Sequence, residues 1–311
     1  MPTLSGDIAD FVSSTLADLG PLRFQQIAQT LQSYPVLGKW LKKNKMTFDS
    51  GNGIQRNLMG KLSGQASHVG LLDTDTYAIP DLMSQLNVPW KHAQTKWGFI
   101  YQTDILMNSG RSAVYKVIEP RRQDALISLA EELEAKAWSA PNVADTTHPY
   151  GLPFWIVDNA TTGFNGGLPG DHTTVAGINL TDNPTFKNYT GRYTNVTKGD
   201  LITKMRTGFR KIGWQSPVSH QDYRNGNGQK MQLYTNETTV NSLETVGESQ
   251  NENLGRDLAS VEAGAGKDVG TVDMQLVFRR HPIFWVPQLD DTAVFTAATN
   301  PIYCVDHSTF Y

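Results

Sequence analysis

The stretch that decides the reading is Glu119-Pro120-Arg121-Arg122-Gln123-Asp124-Ala125-Leu126-Ile127-Ser128-Leu129-Ala130-Glu131-Glu132-Leu133-Glu134-Ala135-Lys136-Ala137-Trp138. Leu126, Leu129, Ala130, Leu133 and Ala137 recur at three- and four-residue steps, the spacing of an apolar stripe along one side of an α-helix. Pro120 suits a first helical turn, where its missing N–H costs nothing. Glu132 and Lys136 stand four apart in the order that supports a helix, and Pro141 closes the segment. Arg121 and Arg122 then fall in the first turn, where the helix dipole disfavours cations. An acidic partner or plain solvation offsets that. The helix is a rod of about 30 Å.

On the N-terminal side, Ile8, Phe11, Val12, Leu16 and Leu19 keep helical spacing, with Asp7 as cap and Gly20-Pro21 as stop. A second helix runs from Pro21 to before Pro35. Lys39, Lys42, Lys43 and Lys45 form a basic cluster, read as a solvated face. From 46 to 108 the character changes: Ser50-Gly51-Asn52-Gly53, Gly60, Gly64 and Gly70 punctuate short runs of strand type such as Trp97-Gly98-Phe99-Ile100-Tyr101. This pattern predicts a projecting antiparallel arm with too little apolar material to order itself without a neighbouring surface.

On the C-terminal side, Tyr150–Val157 reads as an apolar strand and Gly163–His172 as a loop. Asp200–Ile212 reads as a helix, with Thr197 and Asp200 as a capping box and Gly213 past its end. Asn225-Gly226-Asn227-Gly228 predicts a tight turn. Residues 236 to 270 are polar, with an exposed loop at Gly264-Ala265-Gly266. Val272, Met274, Leu276 and Phe278 alternate as one half-buried strand. Ile283–Val286 is a short buried segment, and Asn300–Asp306 a last strand. The expected class is α+β.

The chain has 311 residues, 39% of them hydrophobic and 18% charged, with a net charge of −3. A sizeable core can form, and a dedicated cationic grip on nucleic acid is not indicated. Cys304 is the single cysteine, so no intrachain disulfide and no cysteine-built metal site is expected. No secretory signal opens the sequence, and no window approaches the ~18 apolar residues of a membrane span. Five Asn-x-Ser/Thr sequons, at Asn159, Asn179, Asn188, Asn195 and Asn236, read as loop composition.

The residues that carry chemistry are thinly spread. The seven histidines include no HxH or HxxxH pair. Asp171-His172, His220 with Asp222, and Asp306-His307 are the nearest approaches, but neighbours on a strand point to opposite faces. No nucleophile elbow, phosphate loop or dinucleotide fingerprint occurs. Glu244, Glu248 and Glu252 are four apart and would line one side of a helix as a solvated face. No catalytic residue, cofactor site or metal site is therefore assigned, and an enzyme is not expected.

The order of parts, together with Pro149–Asn159, Gly163–Gly170 and Asn300–Phe310, resembles the major capsid protein of tailed bacteriophages, the Hong Kong 97 type of coat fold. The resemblance implies an N-terminal arm over 1–45, an E-loop with flanking strands over 46–108, and a spine helix in a peripheral domain over 109–145. It further implies an axial domain over 146–270 and strands returning to the core over 271–311. It implies inter-subunit contacts through the E-loop residues Ser50, Gly51, Asn52, Gly53, Arg56 and Lys61, and a spine carrying Arg121, Arg122, Leu126, Leu129 and Leu133. The function implied is a structural subunit that self-assembles into an icosahedral head shell around double-stranded DNA, made in the host cytoplasm and residing in the virion. Implied partners are identical subunits in hexamers and pentamers, a portal, a decoration protein and, with Met1 as the native start, a separate scaffolding protein. DNA is contacted weakly. Two other readings stay open: a secreted or surface carbohydrate-binding β-rich protein, and a metal-dependent hydrolase using Asp171, His172 and His220.

Overall fold

The computed structural model describes residues 51, 53–60, 63–70, 81–98, 111–212, 231–252, 269–272, 275–279, 281–290 and 300–307. The expected helices before residue 35, the lysine cluster, the turn at 225–228 and the loop at 264–266 lie outside them. The chain folds as two compact units, Met1–Leu37 with His92–Ala135, and Gly38–Lys91 with Lys136–Tyr311.

Helix α1, Arg111–Ala137, of 27 residues, belongs to the first unit through Ala135, and its last two residues belong to the second. It starts eight residues before Glu119, so Pro120 lies inside it and not in its first turn. Arg121 and Arg122 accordingly escape the dipole penalty expected for them, which is confined to the first turn. Proline inside a helix forfeits one i→i−4 bond and crowds the preceding turn; the helix nonetheless continues through it. The expected apolar stripe is displaced as well. Leu126 is 55% exposed, while Ala125, Glu134 and Ala137 are buried and Leu129 and Leu133 only half so. Residues 92–98 form no regular element; within this unit Thr95 Oγ1 donates to Ala125 O at 3.1 Å and Arg121 Nη1 to Gly98 O at 3.4 Å.

In the second unit, strands β1 (Gly53–Met59) and β2 (Met83–Pro89) form an antiparallel hairpin in seven-residue register, from Gly53 opposite Pro89 to Met59 opposite Met83. Leu86 and Val88 pack on a buried cluster of Phe154, Val175, Ala176 and Leu180. Asn87 N donates to Ala176 O at 2.9 Å, and Ser84 Oγ to Asn183 Oδ1 at 2.9 Å. Thr185 Oγ1 also donates to Gly60 O. Ala176 and Gly177 both have positive φ, 49° and 91°, and join Val175 to Ile178 in a two-residue turn. Positive φ at both central positions marks the primed turn geometry, which costs alanine more than glycine. The expectation that the arm needs a neighbour to become ordered is thus corrected at its root, where the same chain supplies the partner surface.

Helix α2, Leu152–Trp155, is a single turn where a strand was expected. Gly151 lies so close to the end of α1 that a Cβ would run into the carbonyls of Lys136, Ala137 and Ser139. This close approach, with Pro153 lacking a ladder donor, turns the apolar run inward, and Leu152 and Phe154 become fully buried.

Beyond a π-helical turn, Lys198–Ile202, comes helix α3, Thr203–Ile212. Thr197 caps it as the sequence predicts, its Oγ1 accepting from Asp200 N at 3.3 Å. Asp200 does not close the box on Thr197; its Oδ2 accepts from the backbone of Thr194 and Asn195 at 2.7 and 2.9 Å. Strand β3 (Met231–Thr235) leads directly into helix α4 (Glu237–Glu252), sixteen residues in a stretch read from the sequence only as polar. Next come β4 (Val269–Val272) and β5 (Gln275–Phe278), an antiparallel pair where one alternating strand was expected. Strands β6 (His281–Trp285) and β7 (Ile302–Asp306) complete a sheet of order β4-β5-β6-β3-β7. β3 and β6 run parallel, the rest antiparallel. On one face, Leu233, Leu276, Phe278 and Ile283 meet Leu201, Ile202 and Leu243. On the other, Tyr234 takes the edge of Trp138 at 5.3 Å and stacks on Phe284 at 5.9 Å.

Candidate interaction surface

Several of the described groups that could carry chemistry are engaged in structure. His172 Nε2 donates to Pro141 O at 2.8 Å, and its ring stands edge-on to Phe154 at 5.1 Å. Asp171 is exposed beside it; His220, the third member of the triplet considered for a metal hydrolase, lies outside the described residues. Tyr234 Oη donates to Gln232 Oε1 at 2.9 Å and lies 2.6 Å from His307 Nε2. The hydroxyl has one proton, so His307 Nε2 is the donor. Burial, with Asp306 nearby, pushes the Cys304 thiol up to about 12, far from a reactive thiolate.

One pairing escaped the sequence reading. Asp145 accepts from Thr147 N at 3.0 Å, Thr147 Oγ1 at 2.8 Å, His148 N at 3.2 Å and His148 Nδ1 at 2.5 Å. These donors, His148 first, hold its carboxyl far below the usual range. The arrangement staples an exposed loop; its only sequence signal was the i, i+3 spacing. Among the described residues, no group of three or more His, Cys, Asp or Glu side chains gathers as metal ligands would, and no helix is long and apolar enough to cross a membrane.

Four of the five sequon asparagines, Asn159, Asn179, Asn188 and Asn236, likewise serve the backbone. Asn159 and Asn179 accept from the N–H two residues on, at 3.1 and 2.9 Å, the Asx-turn pattern. Asn188 clamps Val157 from both sides, its Oδ1 accepting from the N–H at 3.2 Å and its Nδ2 donating to the carbonyl at 3.0 Å.

What remains is surface, and the hairpin offers the clearest. Of the residues assigned there from sequence, Ser50, Asn52 and Lys61 lie outside the described set. Gly51, at φ 118°, accepts the Trp90 indole N–H at 2.9 Å. Gly53 sits where a Cβ would stand 2.6 Å from Val88 O. Arg56 is exposed, directly opposite Leu86. Of the spine residues, Arg122 and Leu126 are exposed and Arg121 half-buried. Leu86 and Val88 go unnoticed in the sequence because their signal is ordinary strand alternation.

No family model matches the sequence, and no curated protein does. Among solved structures, a chain of the cyanophage A-1(L) capsid asymmetric unit matches with a TM-score of 0.51 and 17% identity, over 87% of this chain and 72% of that one. The fold is phage-capsid-like. At that identity the phage-capsid-like fold rests on the course of the backbone and not on shared side chains.

Proposed function

We propose that this chain is a structural coat subunit of a tailed-phage head, of the Hong Kong 97 type. The observation that carries the proposal is the likeness to a phage capsid chain over 87% of the sequence. The engagement of His148, His172, His281 and His307 in packing and hydrogen bonds accords with a non-enzymatic role. On this reading the β1–β2 hairpin is the root of the E-loop, α1 the spine helix, and the five-stranded sheet with α3 and α4 the heart of the axial domain. Identical subunits associate in hexamers and pentamers, since closed symmetry is how one chain covers a shell. A scaffolding protein, a portal and a decoration protein are the further partners, and the shell encloses double-stranded DNA in the virion. The net charge of −3 suits a wall that holds packaged DNA only weakly, because each phosphate contact would otherwise strengthen binding and salt dependence. Light scattering of the expressed protein, alone and with co-expressed scaffold, tests the reading. Capsomers or shells tens of nanometres across are expected; a stable monomer under every condition contradicts it.

A further inference from the structure

Charge is unevenly placed along this chain. The 27 Lys and Arg spread over 311 residues would put about two in a stretch of 25, yet residues 187–211 hold seven, with Asp200 as the single acid. That surplus of six leaves the rest of the chain at −9, since the whole carries −3. The net charge therefore hides a strongly cationic segment. The helix dipole favours cations in a last turn. It accounts for Arg210 and Lys211 at the end of α3, but not for the other five.

The fold gathers several of these cations around two rings. On helix α3, Lys204, Gly208 and Lys211 stand at four- and three-residue steps and share one side. That side lies against residues 189–192. Lys204 Nζ donates to Arg192 O at 2.5 Å, a Cβ on Gly208 would stand 3.2 Å from Tyr189 Cε1, and Lys211 Nζ is 5.8 Å from the centre of the Tyr189 ring. Phe164 packs T-shaped on Tyr189 at 5.5 Å and is 49% exposed. Two of the cations are already met by carboxylates, Arg192 by Asp158 at 2.8 Å and Lys204 by Asp200 at 2.6 Å. Among the described residues no carboxylate pairs with Lys187, Arg210 or Lys211, and the last two are exposed.

We infer that this side of α3, with the Phe164–Tyr189 ring pair beside it, binds the phosphate backbone of a nucleic acid. The inference stands on the patch and not on the coat reading. Two features select nucleic acid over an acidic protein segment. From Lys204 to Lys211 the helix rises about 10 Å, the length over which one strand of a duplex presents about three phosphates. The exposed ring pair offers a π-face to bases, which a run of carboxylates cannot use. The −9 carried elsewhere repels a polyanion, so a strand is held at this patch and is not wrapped by the chain.

The test measures fluorescence anisotropy of a labelled duplex and a labelled single strand with dissociated, full-length subunits, from about 50 to about 200 mM salt. Binding should weaken steeply as salt rises. Arg210→Gln with Lys211→Gln should weaken it about tenfold at the low-salt end and reduce the slope of log affinity against log salt by about 2. Lys187→Gln, which lies off the helix, should act in the same direction and reduce the slope by about 1, so that a frayed helix end cannot explain the result. Lys96→Gln with Arg122→Gln removes two exposed cations from the other unit and should leave affinity unchanged. Phe164→Ala tells the two nucleic acids apart: it weakens the single strand alone where unpaired bases are held, and neither where a duplex is held. Absence of binding by the unmodified protein at the lowest salt overturns the inference. Equal losses in the patch and control variants also overturn it, because net charge alone then governs binding. Tighter binding of polyglutamate than of either nucleic acid overturns it too, and gives the patch to an acidic protein segment. Assembly does not enter the measurement, so these failures leave the coat reading standing, and a failure to assemble leaves the patch standing.

Discussion

Single residues set the loops between the hairpin and helix α3. Gly166 packs against Asn188 so closely that a Cβ would run into Oδ1. That oxygen and its amide partner tie down both backbone groups of Val157. Gly166→Ala should therefore break the clamp and cost about 1–2 kcal/mol, by stranding half-buried polar groups, and a urea titration followed by tryptophan fluorescence measures it. Asp200 acts through charge. Lys204, followed by the Asn195 and Thr194 N–H groups, lowers its pKa from 3.8 to about 2. A depressed carboxylate contributes stability that is complete above the unfolded value and is lost as pH falls through the folded one. Thermal stability should accordingly drop between about pH 4 and pH 2, and Asp200→Asn should flatten that part of the profile. An unchanged slope in the variant would show that other carboxylates govern it.

At the scale of elements, helix α4 depends on its first turn. Asn236 Oδ1 accepts from Thr239 N at 3.2 Å and Thr239 Oγ1 at 2.6 Å, and Asp290 Oδ1 takes Glu237 N at 2.9 Å. Asn236→Ala should lower stability by about 1–2 kcal/mol, read by chemical denaturation, with protection from hydrogen exchange lost first in residues 237–240. That cap was present in the sequence, yet the stretch was read only as polar, because Thr, Asn and Ser dilute its apolar stripe to Val240, Leu243 and Val246. The elements that were legible had strong local signals: the three- and four-step leucines of α1, the Thr197 cap before α3, the strand residues of β7. Those missed were decided by distant contacts. Gly151 folds α2 against the end of α1, and the β4–β5 reversal hides inside an alternation that a single strand would share. The start of α1 failed for a different reason, because proline's preference for a first turn does not forbid it deeper in a long helix. In the candidate surface, alternation within β2 was readable, but which face the chain keeps for itself depends on the Ala176–Gly177 turn, far along the chain.

For the whole molecule, the described core of the five-stranded sheet draws nothing from β1. Deleting residues 50–67 should leave that core folded, with near-native circular dichroism, while abolishing assembly. Global unfolding of the deletion would place the hairpin in the core and end its role as a projecting arm. The proposed coat role asks for surface that identical copies cover, and the 18% share of charged residues accords with it. Electron microscopy of the concentrated protein, with and without a candidate scaffolding protein, tests the proposed coat role most directly: the account predicts closed, icosahedrally symmetric shells, and a field of isolated monomers at every concentration would contradict it.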